Sequence, residues 1–262
     1  MPILDFGDRQ IAYTLQGPAT APVLVLSNSL GTTMSMWDAQ ADALAPDYRV
    51  LRYDTRGHGG SGIGADPAGG YTLAELGGDV LRLLDGLAIG RAHFCGISMG
   101  GLTGLWLGVH AGDRLHKLVV ANSAARIGAT QVWRERAALV RSSGMDQVAD
   151  GAAGRWFTPG YAAGAPRVVA GLVEGLRRTT PAGYAACCLA LAAADLSDQI
   201  EAIGTATLLV AGAGDPVTTV ADADFLRKRI PGAAMVTLQA SHLSNIEAAD
   251  AFTNALHAFL DR

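Results

Sequence analysis

The feature that most narrows the fold is a strand, a glycine-flanked serine and a helix in immediate succession. Ala92-His93-Phe94-Cys95 has the pattern of a short apolar strand, and Met99 to His110 has that of a helix. Gly96-Ile97-Ser98-Met99-Gly100-Gly101 joins them with no residues to spare. A chain that turns so sharply at Ser98 has no room for side chains two residues to either side. The turn leaves the hydroxyl exposed above the end of the strand. With 33 glycines in 262 residues, a chance Gly-x-Ser-x-Gly somewhere in the chain is roughly a one-in-six event. Its place between strand and helix is what gives it weight.

The rest of the chain repeats that alternation. Ile11–Leu15 and Val23–Leu26 are apolar, β-branched runs separated by Gly17-Pro18 and Ala21-Pro22, which predicts an antiparallel start. Further strands are predicted at Val50–Tyr53, Leu118–Ala121, Thr207–Val210 and Met235–Leu238. A helix is predicted from Thr72 to Leu87, opened by a Thr72/Glu75 capping box and closed by Gly90. The last helix, from about Asn245 to Leu260, has Ser244 and Glu247 in the same capping pattern. Short hydrophobic strands alternating with helices imply an α/β fold with a mostly parallel sheet covered on both faces. Residues 124–199 carry helical patterns and no strand, with Arg126, Trp133, Arg134, Arg136, Arg155, Trp156 and Phe157 among them. They are expected to form a helical cap over the C-terminal edge of the sheet, inserted between a first core segment, 1–123, and a second, 200–262.

Composition removes several classes of function. A net charge of −4 without a basic run argues against nucleic acid or an anionic membrane as partner. No apolar stretch is long enough to span a bilayer, and the N-terminus lacks the pattern of a secretory signal, so a cytoplasmic location is expected. Cys95 and the adjacent Cys187-Cys188 form neither a disulfide framework nor a zinc spacing, which fits a reducing compartment. Arg56-Gly57-His58-Gly59-Gly60 lacks the Gly-Lys-Ser/Thr ending of a phosphate loop and is expected to be a turn packed beside the loop that carries Ser98.

A serine elbow in a doubly covered parallel sheet resembles the α/β-hydrolase fold, whose catalytic residues follow in the order serine, acid, histidine. A serine hydroxyl needs a base to take its proton. Of the six histidines, only His242 lies in a short loop after the last strand. The loop after the penultimate strand supplies Asp215, just beyond Gly212-Ala213-Gly214, to orient that base. For the developing oxyanion, one expected donor is the N–H of Met99 at the start of a helix. The other is the N–H of Leu30 in Ser27-Asn28-Ser29-Leu30-Gly31.

Longer stretches are similar to one family within that fold, the 3-oxoadipate enol-lactonases. They include Ser27–Thr32, Tyr53–Ser61, Phe94–Gly101, Ala121–Gly128, Thr180–Cys188 and Ser241–Glu247, so the likeness runs the whole length of the chain. The resemblance implies an eight-stranded sheet and hydrolysis of a small enol-lactone through an acyl-enzyme, with no cofactor and no metal. It also implies a substrate carboxylate to be held at the cap, for which Arg134 is the expected partner, with Trp133 as an apolar wall and Ser29 as a further substrate contact. Arg126, Arg136 and Arg155 are further cationic candidates. The triad alone leaves open a carboxylesterase, a perhydrolase, a C–C hydrolase, or a receptor built on the same fold. Enzymes of this fold with an aspartate nucleophile are excluded by Ser98 itself.

Overall fold

The computed structural model describes residues 1–261. Its strands are β1 (Ile3–Asp5), β2 (Gln10–Gln16), β3 (Val23–Ser27), β4 (Arg49–Tyr53), β5 (Ala92–Ile97), β6 (Leu115–Ala121), β7 (Thr207–Gly212) and β8 (Ala234–Leu238). They form one sheet in the order β1-β2-β4-β3-β5-β6-β7-β8. From β4 to β8 every pairing is parallel, whereas β1 and β2 are antiparallel additions at one edge. β5 and β7 are buried along their whole length, as expected of central strands covered on both faces.

The helices in chain order are α1 (Asp38–Leu44), α2 (Leu73–Gly86), α3 (Met99–His110), α4 (Thr130–Ser143), α5 (Asp146–Asp150) and α6 (Ala152–Trp156). They continue as α7 (Pro159–Gly164), α8 (Pro166–Arg177), α9 (Pro181–Ala193), α10 (Val220–Arg229), α11 (Ser244–Glu247) and α12 (Ala249–Leu260). Helix α3 packs on β5, β6 and α2, and α1 packs on α12. Six helices, α4 to α9, lie between β6 and β7. Pro159, Pro166 and Pro181 each open one of them in the first turn, where the missing N–H removes no helical bond. Among the described residues, no helix is long and apolar enough to cross a membrane.

Three local expectations need correction. Strands β2 and β3 are not neighbours, because β4 enters between them and pairs with both. Helix α2 does have the Thr72/Glu75 capping box, but Gly90 does not close it. The left-handed residue is Ala88, at φ 55°. Its N–H bonds Asp85 O at 3.0 Å and the N–H of Ile89 bonds Leu84 O at 2.8 Å, which is a Schellman closure with alanine in the glycine position. Ala88→Gly is therefore expected to stabilise the fold by about 0.5–1 kcal/mol, the left-handed penalty less the extra chain entropy of glycine. Urea midpoints check this, and an unchanged or lower midpoint would refute it.

The third correction is at the last helix. Ser244 and Glu247 do not cap it: the N-cap of α11 is Leu243, without a side-chain bond. The helical run breaks at Ala248 before α12 begins. Both side chains are engaged with other loops.

Candidate active site

The reversal after β5 is as tight as the glycines require. Ser98 sits at φ 57°, ψ −118°, and α3 begins with the next residue. A Cβ on Gly96 would lie 2.2 Å from Gly100 O, and one on Gly100 would lie 2.3 Å from Ser27 O. Such a backbone costs on the order of 1–3 kcal/mol and persists only where its surroundings hold it. Here Ser98 N–H donates to Ala121 O at 2.9 Å, and Ser98 O accepts from Ser123 Oγ at 2.8 Å. Every hydrogen bond that Ser98 makes among the described residues uses its backbone, and the residue lines a cavity of about 220 Å³.

His242 lines the same cavity. Its Nδ1 is 2.8 Å from Asp215 Oδ2, and both side chains are buried. Asp215 is held on five sides. Oδ1 accepts from the N–H groups of Val217 at 2.8 Å and Thr218 at 3.1 Å. Oδ2 accepts from Thr218 Oγ1 at 2.8 Å and Asn122 Nδ2 at 2.9 Å as well as from the imidazole. Burial pushes the Asp215 carboxyl up, but the hydrogen bond and charge of His242, with Asn122 and the Val217 N–H, hold it below its usual range. A carboxylate that stays ionised here selects the Nδ1–H tautomer and leaves Nε2 free to act as a base.

Two residues of this arrangement escape a reading of the sequence. Asn122, directly after β6 and in the left-handed region at φ 42°, bonds Asp215, the carbonyl of Ser241 at 3.1 Å and the hydroxyl of Ser244 at 2.5 Å. One amide thus ties the acid loop to the histidine loop. Glu247 accepts from Ser241 N at 2.8 Å and from both the N–H and the hydroxyl of Thr158. Leu243 N–H donates to Trp156 O at 3.0 Å. The loop carrying His242 is therefore fastened to the helical insert, and the Ser-x-x-Glu signal read as a cap belongs to that fastening.

The insert supplies the other wall of the cavity: Ile127, Val132, Trp133, Arg136, Arg155, Trp156, Leu176 and Tyr184. Trp133 is buried there, its Nε1–H donating to Ile127 O, with the Arg136 guanidinium 4.8 Å above the ring. Ser29 and Leu30 line the core side. Arg134 does not reach the cavity and is exposed. One residue along a helix is a rotation of about 100°, whereas Arg136, three residues after Trp133, shares its face. Arg126 is also exposed and lies 3.7 Å from Asp195. Among the described residues neither Arg136 nor Arg155 pairs with a carboxylate. Burial, and then the charge of Arg136, lower the affinity of Arg155 for its proton. Two unpaired cations on one half-buried wall favour an anionic ligand.

The N–H groups of Leu30 and Met99 have no hydrogen-bond partner among the described residues. The loop and the elbow are joined beside them by Gly100 N–H to Asn28 O at 3.0 Å. Among the described residues no three His, Cys, Asp or Glu side chains are grouped to hold a metal ion.

A sharp strand–serine–helix elbow after the fifth of eight strands, with a carboxylate and a histidine on the last two strand-end loops, defines a class. Residues 23–255 match the Alpha/beta hydrolase family, and the chain belongs to it. The likeness read from the motifs extends over the full length. The chain is 47% identical over 268 aligned positions to 3-oxoadipate enol-lactonase 2 of Acinetobacter baylyi, covering 100% of this chain and 99% of that one. It is 42% identical to 3-oxoadipate enol-lactonase 1 of the same organism, over 96% and 93% of the two chains. A solved structure, the enol-lactonase from Burkholderia xenovorans LB400, superposes with a TM-score of 0.96 at 44% identity, covering 100% of both chains.

Proposed function

We propose that this protein hydrolyses 3-oxoadipate enol-lactone to 3-oxoadipate, with Ser98, His242 and Asp215 as its catalytic triad. The observation that carries the reading is the cavity itself. It is small, it has Ser98 and His242 in its wall, and on the insert side it has two guanidinium groups without a carboxylate partner among the described residues, as an anionic lactone needs. The full-length likeness to enol-lactonases supports the choice of lactone.

The chemistry follows from these groups. Ser98 Oγ attacks the ring carbonyl while His242 Nε2 takes its proton, and Asp215 stabilises the imidazolium. The N–H groups of Leu30 and Met99 receive the oxyanion. Collapse of the tetrahedral adduct expels an enolate, a good leaving group that needs little acid help. The leaving group stays tethered to the acyl-enzyme, so ring closure competes with hydrolysis. Its tautomerisation to the ketone removes that internal nucleophile and commits the reaction forward. Water deprotonated by His242 then cleaves the ester and frees Ser98. None of these steps requires a metal or an organic cofactor.

Arg136 and Arg155 hold the substrate carboxylate in this account, in place of Arg134. A charge-assisted pair contributes about 1.5–3 kcal/mol, so Arg155→Met and Arg136→Met are each expected to raise KM for the lactone about 10- to 100-fold. Neither should change hydrolysis of p-nitrophenyl acetate, and Arg134→Met should change nothing. An unaltered KM in both variants would remove the assignment.

The function is tested by following the loss of enol-lactone absorbance with the purified protein beside p-nitrophenyl acetate. Fast lactone turnover with feeble acetate hydrolysis is the expected result. Esterase activity without lactone turnover would sink the substrate. Silence on both would favour a receptor.

A further inference from the structure

The loop after β4, residues 54–61, lies outside the cavity wall, yet it contains a histidine that the reaction does not use. His58 is 1% exposed. Its Nε2 lies 3.0 Å from the backbone nitrogen of Gly31, and its Nδ1 lies 3.1 Å from Arg56 O. A backbone N–H can only donate, so Nε2 carries no proton. The ring proton is then on Nδ1, donating to Arg56 O. Burial lowers the pKa of the ring to about 4, so the neutral form with this tautomer persists at neutral pH.

Gly31 follows Leu30, whose N–H has no partner among the described residues and which lines the same cavity as Ser98. Thr32 N–H donates to Ser29 O at 3.2 Å, and Gly31 has φ 81°. Ser29-Leu30-Gly31-Thr32 is thus a turn with glycine in the left-handed third position, as type II turns require. The peptide between Leu30 and Gly31 is the central unit of such a turn. The closing bond of the turn does not restrain that unit, which is joined directly to the Cα of Leu30. His58 is the group that restrains it.

The support for His58 continues outward. Arg56 is locked by two bonds to Asp79, each 2.6 Å, and one to Glu75 at 2.9 Å, with its guanidinium 4.9 Å from the Tyr71 ring centre. Gly57 approaches the insert so closely that a Cβ would lie 2.5 Å from the Cα of Gly183. Asp54 accepts from Met34 N–H at 2.7 Å and from Gly60 N–H at 2.8 Å, tying the far end of the Leu30 loop to the same segment.

We propose that His58 is a positioning residue for the oxyanion hole, its unprotonated Nε2 anchoring the Gly31 N–H and so holding the loop segment that carries the adjacent Leu30 N–H in place. The proposal rests on the triad reading above. Removing the acceptor leaves a buried N–H unpaired, and the turn relaxes to satisfy it. The loss falls on charge that exists only in the transition state, so it appears in kcat and not in KM.

The test compares His58→Leu and His58→Gln with the parent enzyme and with Ser98→Ala. His58→Leu should lower kcat about 10- to 100-fold with KM nearly constant, part of what loss of a whole oxyanion donor costs. It should weaken a boronic acid, which binds Ser98 as a tetrahedral adduct, by the same factor, and leave the affinity for 3-oxoadipate unchanged. His58→Gln, whose Oε1 can replace Nε2 as acceptor, should recover most of the activity. A folded His58→Leu with unchanged kcat and boronate affinity, beside an inactive Ser98→Ala, would overturn the clamp alone. Undiminished turnover by Ser98→Ala would overturn the triad reading instead. The ¹⁵N resonances of labelled histidine in the unmutated protein give a check that needs no variant to fold. A neutral His58 with its proton on Nδ1 is expected, and a proton on Nε2 near neutral pH would contradict the proposal.

Discussion

Ser98→Ala is expected to lower kcat for the enol-lactone by on the order of 10⁶-fold while KM changes little. The hydroxyl makes no side-chain hydrogen bond among the described residues, so its removal disturbs no structural contact. The strain at Ser98 belongs to the backbone, at φ 57°, and alanine inherits it unchanged. Stability should therefore hold, and the loss should fall on chemistry alone. The lactone carboxylate would still find Arg136 and Arg155, and the unpaired N–H groups of Leu30 and Met99 would still receive the carbonyl oxygen. Steady-state kinetics together with a thermal melt separate the two effects. A variant that melts normally and keeps its turnover would show that the serine is not the nucleophile.

Asp215→Asn carries the second large effect, a fall in kcat of about 10⁴-fold with the cavity intact. The carboxylate now accepts from the imidazole and from Asn122, Thr218 and the Val217 N–H. Asparagine offers one acceptor oxygen where five donors converge. If its oxygen keeps the loop bonds, its NH₂ faces His242 and selects the tautomer with Nε2 protonated, which cannot act as a base. The same geometry gives the pH dependence its sign. The Asp215 carboxyl is held below its usual value, so it stays ionised, and the histidine oriented, down to acidity where an ordinary aspartate would protonate. Activity retained within tenfold in Asp215→Asn would mean that His242 is oriented by something else.

The parts legible in the sequence are those in which one residue type meets one geometric demand. Glycines at 96 and 100 are required by contacts of 2.2 and 2.3 Å, and that demand is local. The parallel sheet follows from apolar runs that need cover on both faces. What escaped depends on partners far along the chain. β1 has three residues, too few for a periodic signal, and forms because β2 offers it an edge. The turn between β2 and β3 is real, yet nothing local says that β4 will enter between them. Glu247 stands three residues after Ser244 as a capping pair should, and its carboxylate is drawn instead to Thr158, 89 residues away. Asn122 carries no motif of its own, although its amide joins the acid to the histidine loop. Arg134 and Arg136 are equivalent as sequence; only the rotation of α4 puts Arg136 over Trp133 and into the cavity.

The most direct test of the account is to quench the reaction of the enzyme with the enol-lactone within the first turnover and weigh the protein. Ring opening loses no atoms, so the acyl-enzyme should be heavier by the full mass of the lactone, on the peptide that contains Ser98. It should be absent from Ser98→Ala. Rapid turnover with no adduct on that peptide, and with Ser98→Ala still active, would contradict the account.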